Sequence, residues 1–585
     1  MKELQQLNQY FLKYKFRMIV GIIITIISKV FIVFTPRFTG NAIELIETYI
    51  SDKNASFDVF KDELLYYILL ILGVSVVAAF FTFLMRQLLI VMSRLIEFDL
   101  KNNVFKQYEL LSQNFYKQNR TGDLMNRISE DVSRVRMYFG PAIMYSINTF
   151  TLFAILIPMM INTAPKLALY TLLPLPILSV AIYKLSKEIH FRSTVVQEYL
   201  SKLTIFTQEA FSGIAVIKAY GISENSTTKF ELLSEESKQK NMDLVKVQAW
   251  FFPFMILLIG LSNVLVIYIG GMQYINGTIK SIGTLIEFLL YVNMLTWPVA
   301  TVGWVTSIIQ QAEASQKRIN EFLDIVPEIK NENSNVYEFD TDIEFKNVTF
   351  TYPDTNITAL KNMSFKISAG HSFAIIGQTG SGKSTILNLI TRLHDVTEGE
   401  ILIGGKNVKD HNLTLLRNHI GVVPQDPFLF SDTIANNIKF GKSDATKDEV
   451  IAAAKNADVH DNIIQFKNKY QTVLGERGIT LSGGQKQRVS IARAIINSPD
   501  ILLFDDCLSA VDTETEENIL NNLKTVSKAK TTIIVSHRIS SVKNAETILV
   551  LDDGAIIQKG THNQLISTPG YYKELHQKQL SEKEQ

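Results

Sequence analysis

The chain has 585 residues, which is too long for one ordinary domain and predicts roughly two to four. A formal net charge of +1 argues against a nucleic-acid-binding protein, and a single cysteine, Cys507, excludes an internal disulfide bond. Hydrophobic residues make up 47% of the chain, but long runs almost free of charge are confined to the part before about Gln310. We therefore expect a membrane-spanning part followed by a soluble part.

Six apolar segments in the first part are long enough to cross a bilayer, which takes about 20 residues of helix. Only helices are expected there, because unpaired backbone amides find no water in the hydrocarbon core. The third and fourth segments are joined by the short connection INTAPK, which predicts a tight hairpin. The predicted spans are Met18–Thr39, Leu64–Met85, Ala142–Met160, Leu167–Leu185, Phe251–Gly271 and Ile282–Ile308.

The connections between these segments alternate in length and charge. Those after the second and fourth segments, about residues 86–140 and 186–250, are long and rich in Lys and Arg, which places them and both termini in the cytosol. They lack the Gly and Pro density of loops and predict helices that leave the membrane and return. Residues 114–136 and 209–221 break the helical pattern, and each is interpreted as a short helix at a hairpin tip, with a solvated turn as the alternative.

The pattern changes after the sixth segment. An amphipathic helix ends near residue 320, a polar linker follows over 321–342, and from Ile343 short β-rich runs alternate with helices and glycine loops. The predicted fold class is thus an all-α, six-helix transmembrane domain over residues 1–320, followed by an α/β domain over 343–585.

The strongest motif lies in this α/β domain. Phe373–Ile376 predicts a buried strand, GQTGSGKS follows, and ILNLITRL predicts a helix, which is the context of a phosphate-binding loop. Glycines admit backbone N–H groups to the phosphates, Lys383 brings a positive charge to the outer phosphates, and Ser384 offers its hydroxyl to Mg²⁺. The predicted nucleotide-binding residues here are Gly377, Gln378, Thr379, Gly380, Ser381, Gly382, Lys383, Ser384 and Thr385.

A second apolar strand, Ile501–Phe504, ends in two adjacent carboxylates. Asp505 is suited to hold the Mg²⁺ shell, so Ser384 and Asp505 are predicted metal ligands. Asp506 would face the γ-phosphate, where a carboxylate can orient an attacking water, and a helix cap is the alternative role for the acid pair.

A third motif, LSGGQ, precedes a long helix and presents another helix N-terminus. One chain cannot easily place two such anion sites on one nucleotide, whereas a dimer can, with the phosphate loop of one chain facing the LSGGQ of its partner. The predicted nucleotide contacts of this loop are Leu481, Ser482, Gly483, Gly484 and Gln485.

These motifs and their order resemble the nucleotide-binding domain of the ATP-binding cassette (ABC) family, whose signature loop is LSGGQ. Six spans ahead of one cassette resemble the half-transporter layout of ABC exporters. The resemblance implies ATP and Mg²⁺ as cofactors, with Tyr352 stacking on adenine, Gln425 sensing and ligating Mg²⁺, and His537 contacting the γ-phosphate.

The same resemblance assigns three further segments. Asp512, in SAVD at 509–512, would lie on the loop that crosses the dimer interface and contact nucleotide. GERG, at 475–478, resembles an exporter loop near the membrane-domain contact. The two hairpin tips match coupling helices that dock on the cassettes.

Asp506 departs from the family's pattern, in which Glu is usual. Asp is one methylene shorter, so its carboxylate retreats by roughly 1.5 Å, whereas a water-orienting base must sit within about 2.6–3.2 Å of its target. With Asp506, His537 and Gln425 as catalytic residues, we expect normal ATP binding but slow hydrolysis at this chain's own site. Because LSGGQ is intact, the chain resembles the weak-site subunit of heterodimeric bacterial multidrug exporters, and a homodimer in which Asp506 serves adequately stays open.

The spanning segments carry many aromatic and aliphatic side chains and few charges. Lys29 and Glu287 are exceptions, and a charge within a membrane segment is a functional candidate by default. The predicted function is export of hydrophobic or amphiphilic drugs or lipids across the cytoplasmic membrane, with a second half-transporter and membrane lipids as partners. The alternative is a non-pumping membrane ATPase, such as a nucleotide-gated channel or a regulatory subunit.

Overall fold

The computed structural model describes residues 3–51, 56–331, 333, 339–475, 478, 481–508 and 513–584. The chain divides into two compact units. The membrane unit comprises Met1–Gln107 and Gly122–Ile325, and the cassette unit comprises Tyr108–Thr121 and Val326–Gln585. A short segment inside the helical part of the sequence therefore belongs to the cassette unit.

The first 325 residues are mainly helical where the structure describes them. Two π-helical turns, Arg127–Asp131 and Tyr138–Ala142, interrupt the α-helices where the chain leads into the third predicted span. The α-helices are α1 (Asn8–Lys13), α2 (Lys15–Ser51), α3 (Phe57–Leu110), α4 (Gln113–Gln118), α5 (Thr121–Asn126), α6 (Val132–Met137), α7 (Ile143–Thr163), α8 (Pro165–Leu172), α9 (Pro174–Ser212), α10 (Ile214–Ala219), α11 (Ser223–Gln248), α12 (Phe251–Ile275) and α13 (Ile282–Leu323).

Within the described residues, five helical stretches are long and apolar enough to cross a membrane: Lys15–Ser51, Phe57–Leu110, Thr121–Thr163, Ser223–Ile275 and Ile282–Leu323. They contain the first, second, third, fifth and sixth predicted spans, so the helical transmembrane fold is confirmed, and six spans are compatible with it. The fourth predicted span, 167–185, is divided between α8 and α9. Pro174 begins the new helix because its ring fixes φ and provides no N–H for a preceding turn.

The core of the membrane unit lies where α2, α7, α8, α12 and α13 meet. A Cβ on Gly283 of α13 would lie 2.1 Å from the Gly40 carbonyl oxygen of α2, so these two helices approach closely only because both residues lack side chains. Glu287 is 5% exposed and accepts a hydrogen bond from Tyr291 Oη at 2.5 Å. The Glu287 carboxyl group is therefore held inside the helix packing.

Short helices occupy both stretches predicted as hairpin tips. Helix α4 belongs to the cassette unit, whereas α10 joins the long helices α9 and α11 of the membrane unit. Gly221, at φ +64°, follows α10 and allows the chain to turn into α11.

The cassette unit is built on two sheets. Its strands are β1 (Ile343–Thr351), β2 (Thr358–Ile367), β3 (Ser372–Gly377), β4 (Glu398–Ile403), β5 (Lys406–Asn407), β6 (Ile420–Val423), β7 (Ile501–Asp505), β8 (Thr531–Val535), β9 (Thr547–Asp552) and β10 (Ala555–Gly560). The smaller sheet is antiparallel, in the order β2-β1-β4-β5, and the larger has the order β10-β9-β3-β8-β7-β6.

Helices flank these sheets. They are α14 (Lys383–Ile390), α15 (Leu413–Asn418), α16 (Ile434–Lys439), α17 (Lys447–Asn456), α18 (His460–Gln465), α19 (Gly483–Ile495), α20 (Thr513–Val526), α21 (Ile539–Val542), α22 (His562–Ser567) and α23 (Tyr571–Glu584).

The centre of the larger sheet explains where a site forms. Strands β9, β3, β8, β7 and β6 run parallel, and their apolar runs are buried because a parallel sheet is covered on both faces. The carboxyl ends of these strands share one edge, where side chains from distant parts of the sequence meet.

Candidate nucleotide site

The loop between β3 and α14 is shaped by glycines. Gly380 and Gly382 have φ of +84° and +93°, a left-handed conformation that favours glycine. A Cβ on Gly377 would lie 2.2 Å from the Leu551 carbonyl oxygen, and one on Gly382 would lie 2.4 Å from the Ala359 carbonyl oxygen. Both positions exclude any side chain, so the loop keeps its backbone N–H groups accessible at the start of α14.

Lys383 begins α14 beneath this loop. Its side chain is buried, and Nζ donates to the carbonyl oxygens of Gly377 at 3.0 Å and Gln378 at 2.6 Å. Burial lowers the pKa of Lys383, and the nearby carboxylates of Asp506 and Asp505 oppose that shift. The carbonyl oxygens of the loop thus hold the Lys383 ammonium group in place, where its positive charge would face a bound phosphate.

Ser384 and Asp505 form the proposed metal end of the site. Ser384 Oγ donates to Asp505 Oδ1 at 3.0 Å, although the two residues come from different elements, α14 and β7. Burial raises the pKa of Asp505, and the hydrogen bond from Ser384 opposes this effect.

These oxygen donors fit Mg²⁺, which prefers hydroxyl, carboxylate and amide oxygens. The neighbouring Ser381 Oγ is buried and has no hydrogen-bond partner within the described residues, which suits a phosphate oxygen as acceptor. Ser384, Asp505 and Gln425 would hold the cation, which neutralises developing charge on the outer phosphates when bound.

Asp506 directly follows β7 and is held by its backbone. Its amide donates to the Val535 carbonyl oxygen at 2.8 Å, which closes the pairing of β7 with β8 at Asp505 and Val535. Its φ is +41°, in the left-handed region that Asp tolerates better than most residues. The residue is 8% exposed, so its position is set by the sheet rather than by solvent.

His537 approaches the same edge from the end of β8. It makes a hydrogen bond to the Gly377 backbone, and burial followed by the charge of Lys383 lowers its pKa. The imidazole is therefore mainly neutral at about pH 7. Gln579 Nε2 donates to the His537 carbonyl oxygen at 2.8 Å and helps to hold this turn.

A cavity of about 330 Å³ unites the residues predicted from separate motifs. Its described lining includes Tyr352, Thr379, Gly380, Gly382, Lys383, Ser384, Thr385, Gln425, Asp505, Asp506 and His537. They come from the ends of β3, β6, β7 and β8 in the larger sheet and of β1 in the smaller sheet. The fold of the cassette unit therefore assembles one site from residues that are far apart in sequence.

Tyr352 also lines this cavity. Its hydroxyl hydrogen-bonds with Thr385 Oγ1 at 3.0 Å, and its ring stands edge-on to His394, with 5.6 Å between ring centroids. Lys117 of α4 places its ammonium 4.7 Å from the Tyr352 ring centroid, a cation–π arrangement. The α4 segment thus contacts the residue predicted to stack on adenine.

Sequence reasoning missed several of these residues. Lys117 belongs to a polar stretch with no local signal for a nucleotide contact. Asp553 and Gly554 line the cavity from the β9–β10 turn, and Ile357, Thr358 and Ala359 line it from β2 and its approach. The dipeptide Asp553-Gly554 predicts a hairpin turn, but it does not predict that the hairpin lines a nucleotide cavity.

The LSGGQ residues Leu481–Gln485 are absent from the described lining of this cavity. Ser482 caps α19 instead: its Oγ accepts from the Gln485 amide at 3.3 Å, and Gln485 Oε1 accepts from the Ser482 amide at 3.0 Å. Ser482 and Gly483 are exposed. Asp512, all of 509–512 and part of 475–478 lie outside the described residues.

Comparisons with known proteins agree with this organisation. A family described as the ABC transporter transmembrane region matches residues 18–299, and one described as ABC transporter matches residues 360–509. The chain is similar to a solved structure titled as a bacterial Atm1-family ABC exporter with ATP bound, with a TM-score of 0.78 and 26% identity. That likeness covers 97% of this chain and 98% of the other.

Curated relatives match over similar lengths. The multidrug resistance-like ATP-binding protein MdlA of Buchnera aphidicola subsp. Schizaphis graminum is 35% identical over 581 residues, 99% of this chain and 98% of the relative. The ATP-dependent lipid A-core flippase of Syntrophus aciditrophicus is 35% identical over 487 residues, 83% of this chain and 80% of the relative. The chain therefore belongs to the ABC transporter family, as an exporter whose membrane domain is fused to one ATP-binding cassette and whose ATP hydrolysis is coupled to transport.

Proposed function

We propose that this chain exports hydrophobic or amphiphilic compounds, either drugs or lipids, across the cytoplasmic membrane as one half of a dimer. The observation that carries the proposal is the presence in one chain of the nucleotide cavity and of membrane-unit cavities of about 580 and 820 Å³ lined mainly by apolar side chains. Relatives named as multidrug-resistance and lipid-flippase proteins support the same substrate range. The cassette and both termini face the cytosol in this proposal.

The dimer completes the nucleotide site. The phosphate loop and the acid pair of one chain bind ATP and Mg²⁺, and the LSGGQ of its partner closes over the γ-phosphate with the N-terminus of α19. The exposure of Ser482 and Gly483, and the absence of this loop from the described lining of its own chain's cavity, support a contribution in trans. Closure would switch the membrane domains from inward-facing to outward-facing, and hydrolysis would reset them.

We further propose that hydrolysis at this chain's own site is slow. The Asp506 amide is fixed to Val535 at 2.8 Å, so the backbone is not free to advance and offset a side chain shorter than Glu. His537 and Gln425 line the same cavity and would orient the γ-phosphate and the attacking water beside Asp506. Such a weak site, combined with an intact LSGGQ, favours a heterodimer over a homodimer.

Transport tests the main proposal. In inside-out vesicles that contain the full chain and its dimer partner, we expect ATP-dependent accumulation of a fluorescent amphiphile. Lys383→Ala should abolish accumulation because phosphate binding is lost, whereas Lys366→Ala, an exposed lysine paired with Asp342 on the smaller sheet, should not. ATP hydrolysis without accumulation of any amphiphile would favour the non-pumping ATPase instead.

The weak-site proposal has its own test. In the purified dimer, Asp506→Asn should leave most ATPase activity in place, because the competent site lies elsewhere. A loss of about 100-fold or more would identify Asp506 as the working base and overturn the weak-site assignment. Mass determination of complexes pulled down through this chain from its native membrane distinguishes a homodimer from a heterodimer.

A further inference from the structure

Two cavities in the membrane unit meet at one arginine. The first, of about 820 Å³, lies among α2, α3 and α13 and includes Ile32, Thr35, Pro36, Ala78 and Met294 in its lining. The second, of about 580 Å³, lies among α3, α7 and α13 and includes Met144, Tyr145 and Trp304. Phe83 and Arg86 line both cavities. In the sequence, Arg86 directly follows the second predicted span.

Arg86 carries the sole charge among the described lining residues of the two cavities. Its side chain is exposed to this space, and no hydrogen bond or ion pair joins it to another residue in the described part of the chain. By contrast, Arg94, two turns further along α3, pairs with Glu97 at 2.9 Å. Arg86 is thus a guanidinium in a largely apolar cavity without a protein carboxylate.

The neighbouring polar side chains do not change this picture. Thr82 and Ser75 donate their hydroxyls to the Ala78 and Ile71 carbonyl oxygens of their own helix, at 2.8 and 2.7 Å. Asn293 donates its amide to the Leu289 carbonyl oxygen at 2.9 Å. These groups are occupied within their helices, and none carries the negative charge that would neutralise Arg86.

We propose that these cavities bind a transported amphiphile with an anionic group, whose charge pairs with Arg86 while its apolar body lies along the first cavity. A guanidinium presents a planar fork of N–H donors that matches a carboxylate, sulfonate or phosphate in a bidentate manner. An unpaired charge in a membrane protein is costly, so a ligand that supplies the opposite charge gains affinity. Tyr145 and Trp304, edge-to-face at 5.4 Å between centroids, offer the second cavity an aromatic wall.

This inference rests on the proposed export function and names its substrate class. Anionic lipid headgroups and soluble acidic amphiphiles share the chemistry that Arg86 recognises, so the experiment must separate these sources. Probe binding is measured without ATP, so that the result does not depend on transport.

The test uses two fluorescent probes with the same alkyl chain, one ending in a carboxylate and the other in an uncharged amide. The full-length protein is reconstituted in nanodiscs of zwitterionic lipid, and each probe is titrated. We expect the anionic probe to bind about tenfold more tightly than the neutral one. Arg86→Gln should remove this preference, Arg86→Lys should retain part of it, and Arg94→Gln should leave it unchanged.

Equal affinity of the wild-type protein for both probes would overturn the proposal. A folded Arg86→Gln variant that still prefers the anionic probe as strongly as the wild type would also overturn it. Adding phosphatidylglycerol to the nanodiscs identifies the source. If the lipid displaces the anionic probe from the wild type but does not reduce the remaining probe binding to Arg86→Gln, the site is assigned to an anionic lipid. No displacement assigns it to a soluble amphiphile. Loss of ATP-dependent accumulation with this preference intact would count against the export function alone.

Discussion

The nucleotide cavity of the cassette and the two cavities of the membrane unit use charge in opposite ways. The nucleotide cavity brings Lys383, Asp505, Asp506 and His537 together. Burial lowers the pKa of Lys383 and of His537, and the two carboxylates oppose this lowering. The membrane cavities hold one charged side chain among their described lining residues, Arg86, within an apolar surface. The first arrangement suits one fixed, highly charged ligand, whereas the second admits many apolar bodies and discriminates by one charge.

Rigidity also differs between the two regions. The phosphate loop is held by close backbone approaches at Gly377 and Gly382, and Asp506 is held by a sheet hydrogen bond. The membrane cavities are formed by side chains on α2, α3, α7 and α13, which can be rearranged when the helices move. A substitution in the nucleotide cavity should therefore cost activity through geometry, and one in the membrane cavities should change selectivity.

The largest effect is expected from Gly382→Ala. Its Cβ would meet the Ala359 carbonyl oxygen at 2.4 Å on a backbone with φ +93°, so the loop would lose its phosphate-binding shape. ATPase activity should fall by about 100-fold or more, with loss of ATP binding in a nucleotide-binding assay. Gly405→Ala is the matched control, because its φ is +73° but no atom lies within 4 Å of the added Cβ. Equal losses in both variants would attribute the effect to backbone strain alone.

Asp506→Glu tests whether the rigid site limits hydrolysis through one methylene group. We expect kcat per site to rise by about tenfold with little change in KM, because the longer carboxylate reaches the attacking water. Steady-state ATPase assays of the purified dimer measure both constants. Asp500→Glu, just before the other end of β7, serves as the control. A kcat that is unchanged or lower would show that Asp506 is already placed for catalysis.

Tyr352→Ala should have an intermediate effect, confined to nucleotide affinity. Loss of an aromatic shelf for adenine should raise the KM for ATP by about tenfold, whereas Tyr352→Phe keeps the ring and loses only the hydrogen bond to Thr385. The KM of the Phe variant should therefore stay within about threefold of the wild type. A large effect in both variants would show that the hydroxyl, rather than the ring, matters.

The smallest effect is expected from Lys117→Ala. An exposed cation–π contact contributes about 0.5–1 kcal/mol, so its loss should raise the KM for ATP by about two- to fivefold through a less constrained Tyr352. Lys117→Arg should preserve the value, and Lys106→Ala, on the preceding helix, should not alter it. An additive KM increase in the Lys117→Ala, Tyr352→Ala double variant would contradict action through the ring.

Contiguous motifs were the most predictable part of this protein. The phosphate loop could be recognised because strand, glycines and helix follow one another in sequence, and the acid pair because it ends an apolar strand. The division of the fourth predicted span at Leu173 could not be read from its average apolar character, which conceals two prolines, at 174 and 176, that favour a new helix start. Lys117 could not be predicted because its contact to Tyr352 depends on how α4 joins the cassette unit.

The amino-acid sequence by itself determined the order of a helical membrane part and an α/β cassette, and the chemical groups of the nucleotide site. It could do so because apolar runs and local loop motifs carry their physical consequences within a few turns or strands. Only the tertiary structure decided that α4 places Lys117 on Tyr352, that Asp506 is pinned by Val535, and that Arg86 joins two cavities. Those relations arise from packing between distant elements, and no local pattern encodes them.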